Sequence, residues 1–293
     1  MMYTSGGEKI PEYKMPVTLS RKPGGGQMTH ALDLFKLDGK VALVTGASRG
    51  LGYFAAESLA EAGANVAICG RGMSSSLEEA VDKLKKTGRD CIAIKCDVAD
   101  ESDVIRMAGM MKEHYGRCDI LVNNAGMGIV TPTDMLDSET WTTMMNINLL
   151  GPFQCCREIG KMMIEQQSGC IINFSSENGQ VGFSVGMAPY ATSKIGVIGL
   201  TRSLAVEWGK HNIRVNAILP GNMEEGMMET LKDKQSPMYR FWGEAMLKLI
   251  PLGNFGTGDD IKGAVVFLAS EASRYISGAK IVVDGGFTIN SGI

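Results

Sequence analysis

VALVTGASRGLG, residues 41–52, joins a short apolar run to a cluster of glycines and then to a helical pattern. An apolar run that leads through glycines into helical periodicity is typical of a buried strand followed by a helix. Glycines at 46, 50 and 52 permit a tight turn and a close approach of the backbone to a diphosphate, whose charge the helix N-terminus favours. The spacing is GxxxGxG, and any tight strand-to-helix turn can need glycine. In this strand-to-helix context we expect a dinucleotide site.

The rest of the chain repeats the alternation of short apolar runs and helical patterns. Further strands are predicted at 65–69, 91–95, 119–123, 170–174, 213–219 and 280–284, and the clearest helices at 51–62, 138–166, 190–209 and 259–269. Near-continuous apolar strands that alternate with helices indicate a parallel sheet covered on both faces. We therefore predict a single doubly wound α/β domain of Rossmann type, with seven parallel strands and a ligand site beyond their carboxyl ends.

The composition is that of a globular protein without a nucleic acid or membrane partner. Of the 293 residues, 44% are hydrophobic and 21% are charged, and the formal net charge is −3. Nucleic acid binding usually leaves a basic footprint, and no apolar run reaches the ~18 residues of a membrane helix. The seven cysteines form no CxxC pair and the three histidines are scattered. We therefore expect buried reduced thiols in a cytoplasmic protein, and no metal site.

Residues 1–36 differ in composition from the remainder of the chain. They carry prolines, a PGGG run at 23–26 and no apolar periodicity. The segment lacks the hydrophobic stretch of a secretory signal, and its two glutamates do not suit a transit peptide. We expect a flexible or surface-draped tail at 1–36 before the main domain at 37–293. A role of the tail in assembly or in covering the site is the alternative.

Three motifs occur together in the order of a known enzyme family: TGASRGLG at 45–52, NNAG at 123–126 and YATSK at 190–194. With these motifs the chain resembles the short-chain dehydrogenase/reductase (SDR) family over about residues 37–288. The stretches LDLFKLDGKVALVTG, LAVEW and APY are similar to its sugar and polyol branch, which includes ketose, mannitol or sorbose, and gluconate enzymes. The resemblance implies an oxidoreductase that interconverts a secondary alcohol and a ketone. It also implies a homotetramer formed through the helices near 138–166 and 190–209.

The second predicted strand ends without the acid that NAD-preferring folds place on the ribose 2′-hydroxyl. Gly70 occupies that place, Arg71 follows it, and Arg49 lies inside the glycine loop. Guanidinium groups bind phosphate in fork geometry, so we expect NADP(H), although both arginines could instead be solvated surface residues. The resemblance also implies adenine and ribose contacts from the residues after the third and fourth strands. The expected cofactor residues are Gly46, Ser48, Arg49, Gly50, Leu51, Gly52, Arg71, Asp97, Val98, Asn124, Ala125, Gly126, Tyr190, Lys194, Pro220 and Gly221.

The resemblance assigns the chemistry to four residues: Asn148, Ser176, Tyr190 and Lys194. Tyr190 would act as general acid or base, and a nearby ammonium and an oxidised nicotinamide would lower its pKa from the usual value near ~10. Lys194 would also hold the cofactor ribose. Ser176 would hydrogen-bond the substrate oxygen and stabilise charge there. Asn148 would hold a water that links Lys194 to solvent, and a structural role in the helix is compatible with that.

Two positions depart from the family pattern. The segment from the serine to Tyr190 is one residue longer than usual, and counting back from Tyr190 lands on Glu177. We assign Ser176 because it lies at the predicted strand end, with Ser175 as the alternative. Glu225 stands where the family often has a threonine that binds the carboxamide, so either backbone groups bind it here or the local register differs.

Residues 222–252 are expected to form a substrate lid, or else a helix pair on a neighbouring subunit. The segment is rich in methionine and aromatic residues, which adapt to irregular apolar surfaces. The resemblance favours a sugar, polyol or sugar acid, whereas the apolar lid leaves open a hydroxysteroid or 3-oxoacyl-type substrate. A binding protein that kept the fold and lost the chemistry is a further alternative, as is a lyase or epimerase. Candidate substrate contacts are Ser176, Phe183, Met187, Met223, Met227 and Trp242.

Overall fold

The computed structural model describes residues 30–183, 186–225, 235 and 243–291. Seven parallel strands form one sheet in the order β3-β2-β1-β4-β5-β6-β7. Their bounds are β1 Val41–Thr45, β2 Asn65–Gly70, β3 Cys91–Lys95, β4 Ile120–Asn123, β5 Gly169–Phe174, β6 Ile213–Pro220 and β7 Lys280–Val283. The doubly wound seven-stranded sheet predicted from the sequence is confirmed.

Helices cover both faces of the sheet because successive strand side chains point to opposite faces. In β1, Ala42 and Val44 pack into the core on one face of the sheet, whereas Leu43 packs into the core on the other face. All five residues of β1 are buried, as expected for a central strand of a parallel sheet. The described helices are α1 Gly50–Glu61, α2 Ser75–Lys85, α3 Glu101–Tyr115, α4 Ser138–Met145, α5 Gly151–Gln166, α6 Ala188–Trp208, α7 Glu244–Leu249 and α8 Gly258–Ala269.

The long helix predicted at 138–166 contains one turn of π-helix, Asn146–Leu150, between α4 and α5. Gly151 closes this turn by donating its N–H to the carbonyl of Asn146. A Cβ at Gly151 would lie 2.8 Å from Cγ2 of Val98, so glycine allows the helix to approach the loop after β3. Such π-turns are rare and frequently occur at functional sites. The turn contains Asn148, one of the predicted catalytic residues.

Part of the segment predicted as a tail has regular structure. Residues Ala31–Phe35 form a 3-10 helix, and the buried Leu37 donates its N–H to the carbonyl of Ala62 at 2.8 Å. The compact unit therefore begins at Ala31, before the boundary predicted at residue 37. Residues 1–29 and most of the predicted lid lie outside the described residues. No helix in the part of the chain that the structure describes is long and apolar enough to span a bilayer.

Candidate active site

A cavity of about 430 Å³ opens at the carboxyl ends of the strands, where a doubly wound sheet binds its ligand. It is lined by nearly the whole predicted cofactor set, including the glycine loop, the end of β2 and the loops after β3, β4 and β6. Gly52 is the exception, because it lies beneath the loop rather than on the cavity wall. The lining residues in the predicted sets are Gly46, Ser48, Arg49, Gly50, Leu51, Arg71, Asp97, Val98, Asn124, Ala125, Gly126, Ser176, Tyr190, Lys194, Pro220, Gly221 and Met223.

The glycine loop has the shape and the exposed N–H groups that a diphosphate needs. Gly46 and Gly50 have φ of 65° and 61°, a left-handed conformation that favours glycine. The helix α1 begins at Gly50 with no acidic residue in its first turn and no capping hydrogen bond from the Arg49 side chain. Its N-terminal N–H groups and its dipole therefore favour an anion at the cavity. These residues fit the diphosphate of a dinucleotide.

Thr45 organises this end of the cavity, and the sequence did not single it out. Its buried Oγ1 accepts the N–H of Asn124 at 3.0 Å and that of Ala125 at 3.1 Å. Asn124 in turn donates its side-chain amide to the carbonyls of Thr45 and Gly46, at 3.1 and 3.0 Å. A Cβ at Gly52 would lie 2.3 Å from that amide nitrogen. The glycine loop and the NNAG motif are thus bound to each other as one unit.

The end of β2 lies on the cavity wall. Gly70 is the last residue of β2, and Arg71 follows it with an exposed side chain on the cavity wall. Arg49 lies on the same wall, across the glycine loop. Neither the end of β2 nor the first turn of α1 carries a carboxylate. Two guanidinium groups therefore border the part of the cavity that lies nearest to β2.

The two serines after β5 have different partners. The Ser176 side chain lowers the pKa of Tyr190, and its Oγ accepts the N–H of Asn178 at 3.2 Å. Ser175 instead donates its hydroxyl to the backbone carbonyl of Lys194 at 2.8 Å. Both serines line the cavity, but only Ser176 affects the pKa of Tyr190. The geometry favours Ser176 for the substrate oxygen and assigns Ser175 to the anchoring of α6.

Tyr190 and Lys194 lie one turn apart at the start of α6, and both are buried. The ammonium of Lys194 donates to the carbonyl of Phe174 at 2.9 Å and lies 5.5 Å from the centre of the Tyr190 ring. Burial lowers the pKa of Lys194 to about 8 because the charged form loses its hydration. The lysine is therefore positioned at the cavity wall by the end of β5.

The expected lowering of the Tyr190 pKa is not seen. Burial raises that pKa to about 12, Ser176 opposes the increase, and the carboxyl of Glu177 adds to it. Desolvation of the phenolate is the largest of these effects, because a buried charge loses its hydration. The protein alone keeps Tyr190 protonated, which suits donation of a proton to a carbonyl. A lower pKa would depend on the positive charge of an oxidised nicotinamide.

Asn148 lies in the π-turn, where its side chain is fully buried and both of its polar atoms form hydrogen bonds. Its Oδ1 accepts the N–H of Met127, and its Nδ2 donates to the carbonyl of Met127 and to Oγ of Ser193, at 2.8, 2.8 and 3.2 Å. The side chain holds the loop that follows β4 and does not line the cavity. The structural role is therefore seen, and the water-holding role stays a prediction.

The predicted substrate contacts separate into three groups. Met223 lines the cavity near Ser176, and its backbone bridges to Gly256. Phe183 does not line the cavity; its ring stacks on Phe287 with centroids 5.7 Å apart. Met187 precedes α6 and also lies off the cavity wall. Met227 and Trp242 lie outside the described residues.

Glu177 is a buried carboxyl next to the predicted catalytic serine, and sequence spacing alone gave it no role. It is 3% exposed, and its Oε2 has no hydrogen-bond partner among the described residues. Burial and the neighbouring Asp284 raise its pKa to about 8. A Cβ at Gly221, on the cavity wall, would lie 3.0 Å from Oε2. Glu177 thus lies directly behind the cavity wall.

Known proteins are similar to this chain over nearly the full domain. The family model described as enoyl-(acyl carrier protein) reductase matches residues 46–288. D-threitol dehydrogenase of Mycolicibacterium smegmatis is 40% identical over 270 residues, which cover 89% of this chain and 100% of that protein. The 3-oxoacyl-(acyl-carrier-protein) reductase FabG of Staphylococcus aureus is 41% identical over 247 residues, covering 84% and 97%. The crystal structure of a gluconate 5-dehydrogenase from Burkholderia cenocepacia in complex with NADP and tartrate has a TM-score of 0.82 and 34% identity, covering 89% and 99%.

A doubly wound sheet with a dinucleotide cradle and a tyrosine–lysine pair at its carboxyl edge defines an oxidoreductase that uses a nicotinamide cofactor. Within that class, the chain belongs to the short-chain dehydrogenase/reductase family. The family resemblance noted in the sequence is confirmed, including the similarity to enzymes of sugars and polyols.

Proposed function

We propose that this protein is an NADP(H)-dependent dehydrogenase/reductase that interconverts a secondary alcohol and a ketone on a sugar, polyol or sugar acid. The single observation that carries the chemistry is that Ser176, Tyr190 and Lys194 line one cavity, with Tyr190 and Lys194 one helical turn apart in α6. A substrate oxygen between the two hydroxyls would receive the proton of Tyr190 during reduction. Ser176 would stabilise the charge that develops on that oxygen. A bound nicotinamide supplies or accepts the hydride.

The preference for NADP(H) is supported by charge at the end of β2. Arg71 and Arg49 line the cavity where the 2′-phosphate of the adenosine would lie, and no acid occupies the end of β2. A carboxylate there would accept the 2′-hydroxyl of NAD and repel a phosphate. The gluconate 5-dehydrogenase structure, which contains NADP, agrees with this preference.

The substrate class is supported by two relatives. The M. smegmatis relative is a D-threitol dehydrogenase, and the B. cenocepacia structure is a gluconate 5-dehydrogenase. The second candidate is reduction of a 3-oxoacyl group or another bulky apolar ketone, and the similarity to FabG favours it. Both candidate functions use the same four predicted catalytic residues. They differ only in the substrate that fits against the cavity walls around the reacting carbon.

Assembly as a homotetramer in the cytoplasm completes the proposal. The helices α4 to α6, with the π-turn, expose a set of large apolar side chains that a neighbouring subunit would cover. Seven buried free thiols suit a reducing compartment. The exposed apolar residues are Trp141, Leu150, Phe153, Ile195 and Val206.

The experiment that tests the function is a spectrophotometric screen at the NAD(P)H absorbance band. The purified protein is given NADPH or NADH with a panel of ketoses, keto acids, 3-oxoacyl esters and cyclic ketones, and the oxidised cofactors with the matching alcohols. We expect turnover of a sugar-type substrate with NADP(H), and loss of at least ~10²-fold in kcat for Tyr190→Phe with cofactor binding retained. Binding of NADPH without turnover of any panel member would instead indicate a protein that has lost the chemistry.

A further inference from the structure

We infer that Gln154 is a positioning residue for the cofactor, because it fixes the part of the cavity wall that Asp97 and Val98 form. The inference rests on the proposed function, since it concerns the same cofactor. Asp97 and Val98 line the cavity, and the sequence predicts adenine contacts from both. Gln154 is buried in α5 and does not line the cavity. It therefore acts on the cofactor only through the loop that follows β3.

A buried hydrogen bond between α5 and the loop after β3 carries the inference. The side-chain amide of Gln154 donates to the carbonyl of Val98 at 2.8 Å, and the two residues are 56 positions apart in the chain. Buried carbonyl groups are normally paired, and a carbonyl that loses its partner destabilises the arrangement around it. A distant helix thus supplies the partner for a carbonyl on the cofactor wall.

Asp97 binds the other end of the same peptide group. The peptide between Val98 and Ala99 directs its carbonyl to Gln154, while the N–H of Ala99 donates to Oδ1 of Asp97 at 3.0 Å. Because the peptide group is planar, a fixed carbonyl also fixes the direction of this N–H. The carboxylate of Asp97 is therefore oriented by a peptide that Gln154 holds in place.

The backbone of Asp97 is bound separately to the start of α3. Its N–H donates to Oδ2 of Asp103 at 2.9 Å, and its carbonyl accepts the N–H of Asp100 at 3.0 Å. These bonds do not involve Gln154. Loss of the Gln154 amide should therefore turn the peptide after Val98 and the carboxylate of Asp97, while the loop itself stays folded.

Gly151 lies one helical turn before Gln154 and approaches the same residue of the loop. Residues three positions apart lie on one face of a helix. A Cβ at Gly151 would lie 2.8 Å from Cγ2 of Val98 and 3.2 Å from its carbonyl oxygen. The absence of a side chain lets α5 come close enough for Gln154 to reach that carbonyl. Gly151 and Gln154 thus offer two separate ways to disturb one part of the wall.

The contacts at the reacting end of the cavity are made by other residues. Tyr190 and Lys194 lie in α6, and Asn148 bonds the loop after β4. None of these contacts includes Gln154 or Val98. Substitution of Gln154 should therefore weaken the binding of the adenosine half and leave hydride transfer in the bound complex unchanged.

The test is Gln154→Met, which keeps the length of the side chain and removes the amide donor. We expect the dissociation constant of 2′,5′-ADP, measured by calorimetry, to rise about tenfold, as for the loss of one buried hydrogen bond. The KM for NADPH should rise by a similar factor, with kcat within about twofold of the wild-type value. The ligand 2′,5′-ADP is the adenosine half of NADP without the nicotinamide, so its binding needs no substrate.

Gln166→Met is the matched control in the same helix. The side chain of Gln166 donates to the carbonyl of Cys118 at 2.9 Å and accepts its N–H at 3.0 Å, away from the cavity. Its substitution should lower stability in urea at least as much as Gln154→Met and leave both cofactor constants unchanged. Gly151→Ala is the second test variant, and it should raise the same two constants even if Gln154→Met does not fold.

The outcomes separate this inference from the proposed function. Wild-type affinity of Gln154→Met and Gly151→Ala for 2′,5′-ADP, or a lower kcat with an unchanged KM, would overturn the inference while the oxidoreductase remains. An equal loss of affinity in Gln166→Met would assign the effect to general stability and would also overturn it. If the wild type bound 5′-AMP more tightly than 2′,5′-ADP, the proposed preference for NADP(H) would be wrong, and the same comparison with 5′-AMP would decide on Gln154.

Discussion

The hydroxyl of Ser175 donates a 2.8 Å hydrogen bond to the backbone carbonyl of Lys194, whereas the Oγ of the neighbouring Ser176 accepts the N–H of Asn178 and lowers the pKa of Tyr190. Two adjacent serines on the same cavity wall therefore perform different tasks. Ser175 fixes the first turns of α6 against the end of β5. We propose that Ser176 presents its hydroxyl to the reacting oxygen together with Tyr190.

This division predicts opposite effects of two alanine substitutions. Ser176→Ala should lower kcat by ~10²-fold or more with little change in unfolding free energy, because a transition-state donor is lost. Ser175→Ala should cost about 1 kcal/mol of stability and leave most of the rate, because a buried backbone hydrogen bond is lost. Steady-state kinetics and urea unfolding measure both quantities. A larger rate loss for Ser175→Ala would move the substrate-oxygen role to that residue.

Arg71 is predicted to discriminate between the two nicotinamide cofactors. Arg71→Ala should weaken NADPH by about tenfold or more and NADH only slightly, because only NADPH carries a phosphate for the guanidinium fork. Fluorescence titration of both cofactors gives the two dissociation constants. Arg89→Ala is the control, since that arginine pairs with Asp38 away from the cavity. Equal losses for the two cofactors would contradict the role of Arg71.

Gly52 is predicted to be intolerant of even a methyl group. In Gly52→Ala the new Cβ would lie 2.3 Å from Nδ2 of Asn124 and 2.4 Å from the carbonyl oxygen of Gly46. The two loops that form the dinucleotide cradle would have to separate, at a cost of roughly 1–3 kcal/mol. We expect a lower unfolding midpoint in urea and weaker cofactor binding.

A second glycine supplies the comparison for Gly52. A Cβ at Gly109, in the exposed face of α3, would meet no atom within 4 Å. Gly109→Ala should therefore stabilise the protein by about 0.5–1 kcal/mol, because alanine loses less backbone entropy in a helix. If Gly52→Ala were as stable as Gly109→Ala and bound cofactor normally, the close packing of the two loops of the dinucleotide cradle would not be needed for stability or for cofactor binding.

The fold was predictable because its signals are local. The buried strands are near-continuous apolar runs, so β1 and β3 begin and end at the predicted residues. The motif residues are also local in sequence, and most of the predicted cofactor set lines one cavity. The strand bounds and the motifs each depend on residues within a few positions of one another in the sequence.

The roles that sequence missed depend on contacts across the sheet. Thr45 bonds the N–H groups of residues 79 and 80 positions later, because β1 and β4 are neighbours in the sheet. Asn148 bonds Met127, 21 positions earlier, and no spacing rule shows that pairing. The pKa of Tyr190 likewise results from burial by distant segments. Such effects need the strand order and the packing before they can be stated.

Glu177 provides a prediction that needs no cofactor, because its proton is coupled to folding. Its pKa is near 4.5 when exposed and is raised to about 8 by burial and by Asp284. Between these values the folded chain holds a proton that the unfolded chain has released. Folding stability therefore decreases as pH rises from about 4.5 to 8 through this group. The raised pKa of Tyr190 affects folding stability only above about pH 10, and the lowered pKa of Lys194 affects it only above about pH 8. Among these three groups, only Glu177 changes the stability between about pH 4.5 and 8.

Glu177→Gln should remove this pH dependence, because the amide is neutral at every pH in the window and nearly the same size. We expect the wild type to lose up to roughly 3–5 kcal/mol, relative to the variant, between pH 5 and pH 8. Urea unfolding of the cofactor-free protein at several pH values measures the difference. Glu113→Gln, on the exposed side of α3, should run parallel to the wild type and controls for the loss of one carboxyl group. Parallel curves for Glu177→Gln as well would mean that Glu177 is ionised in the folded protein.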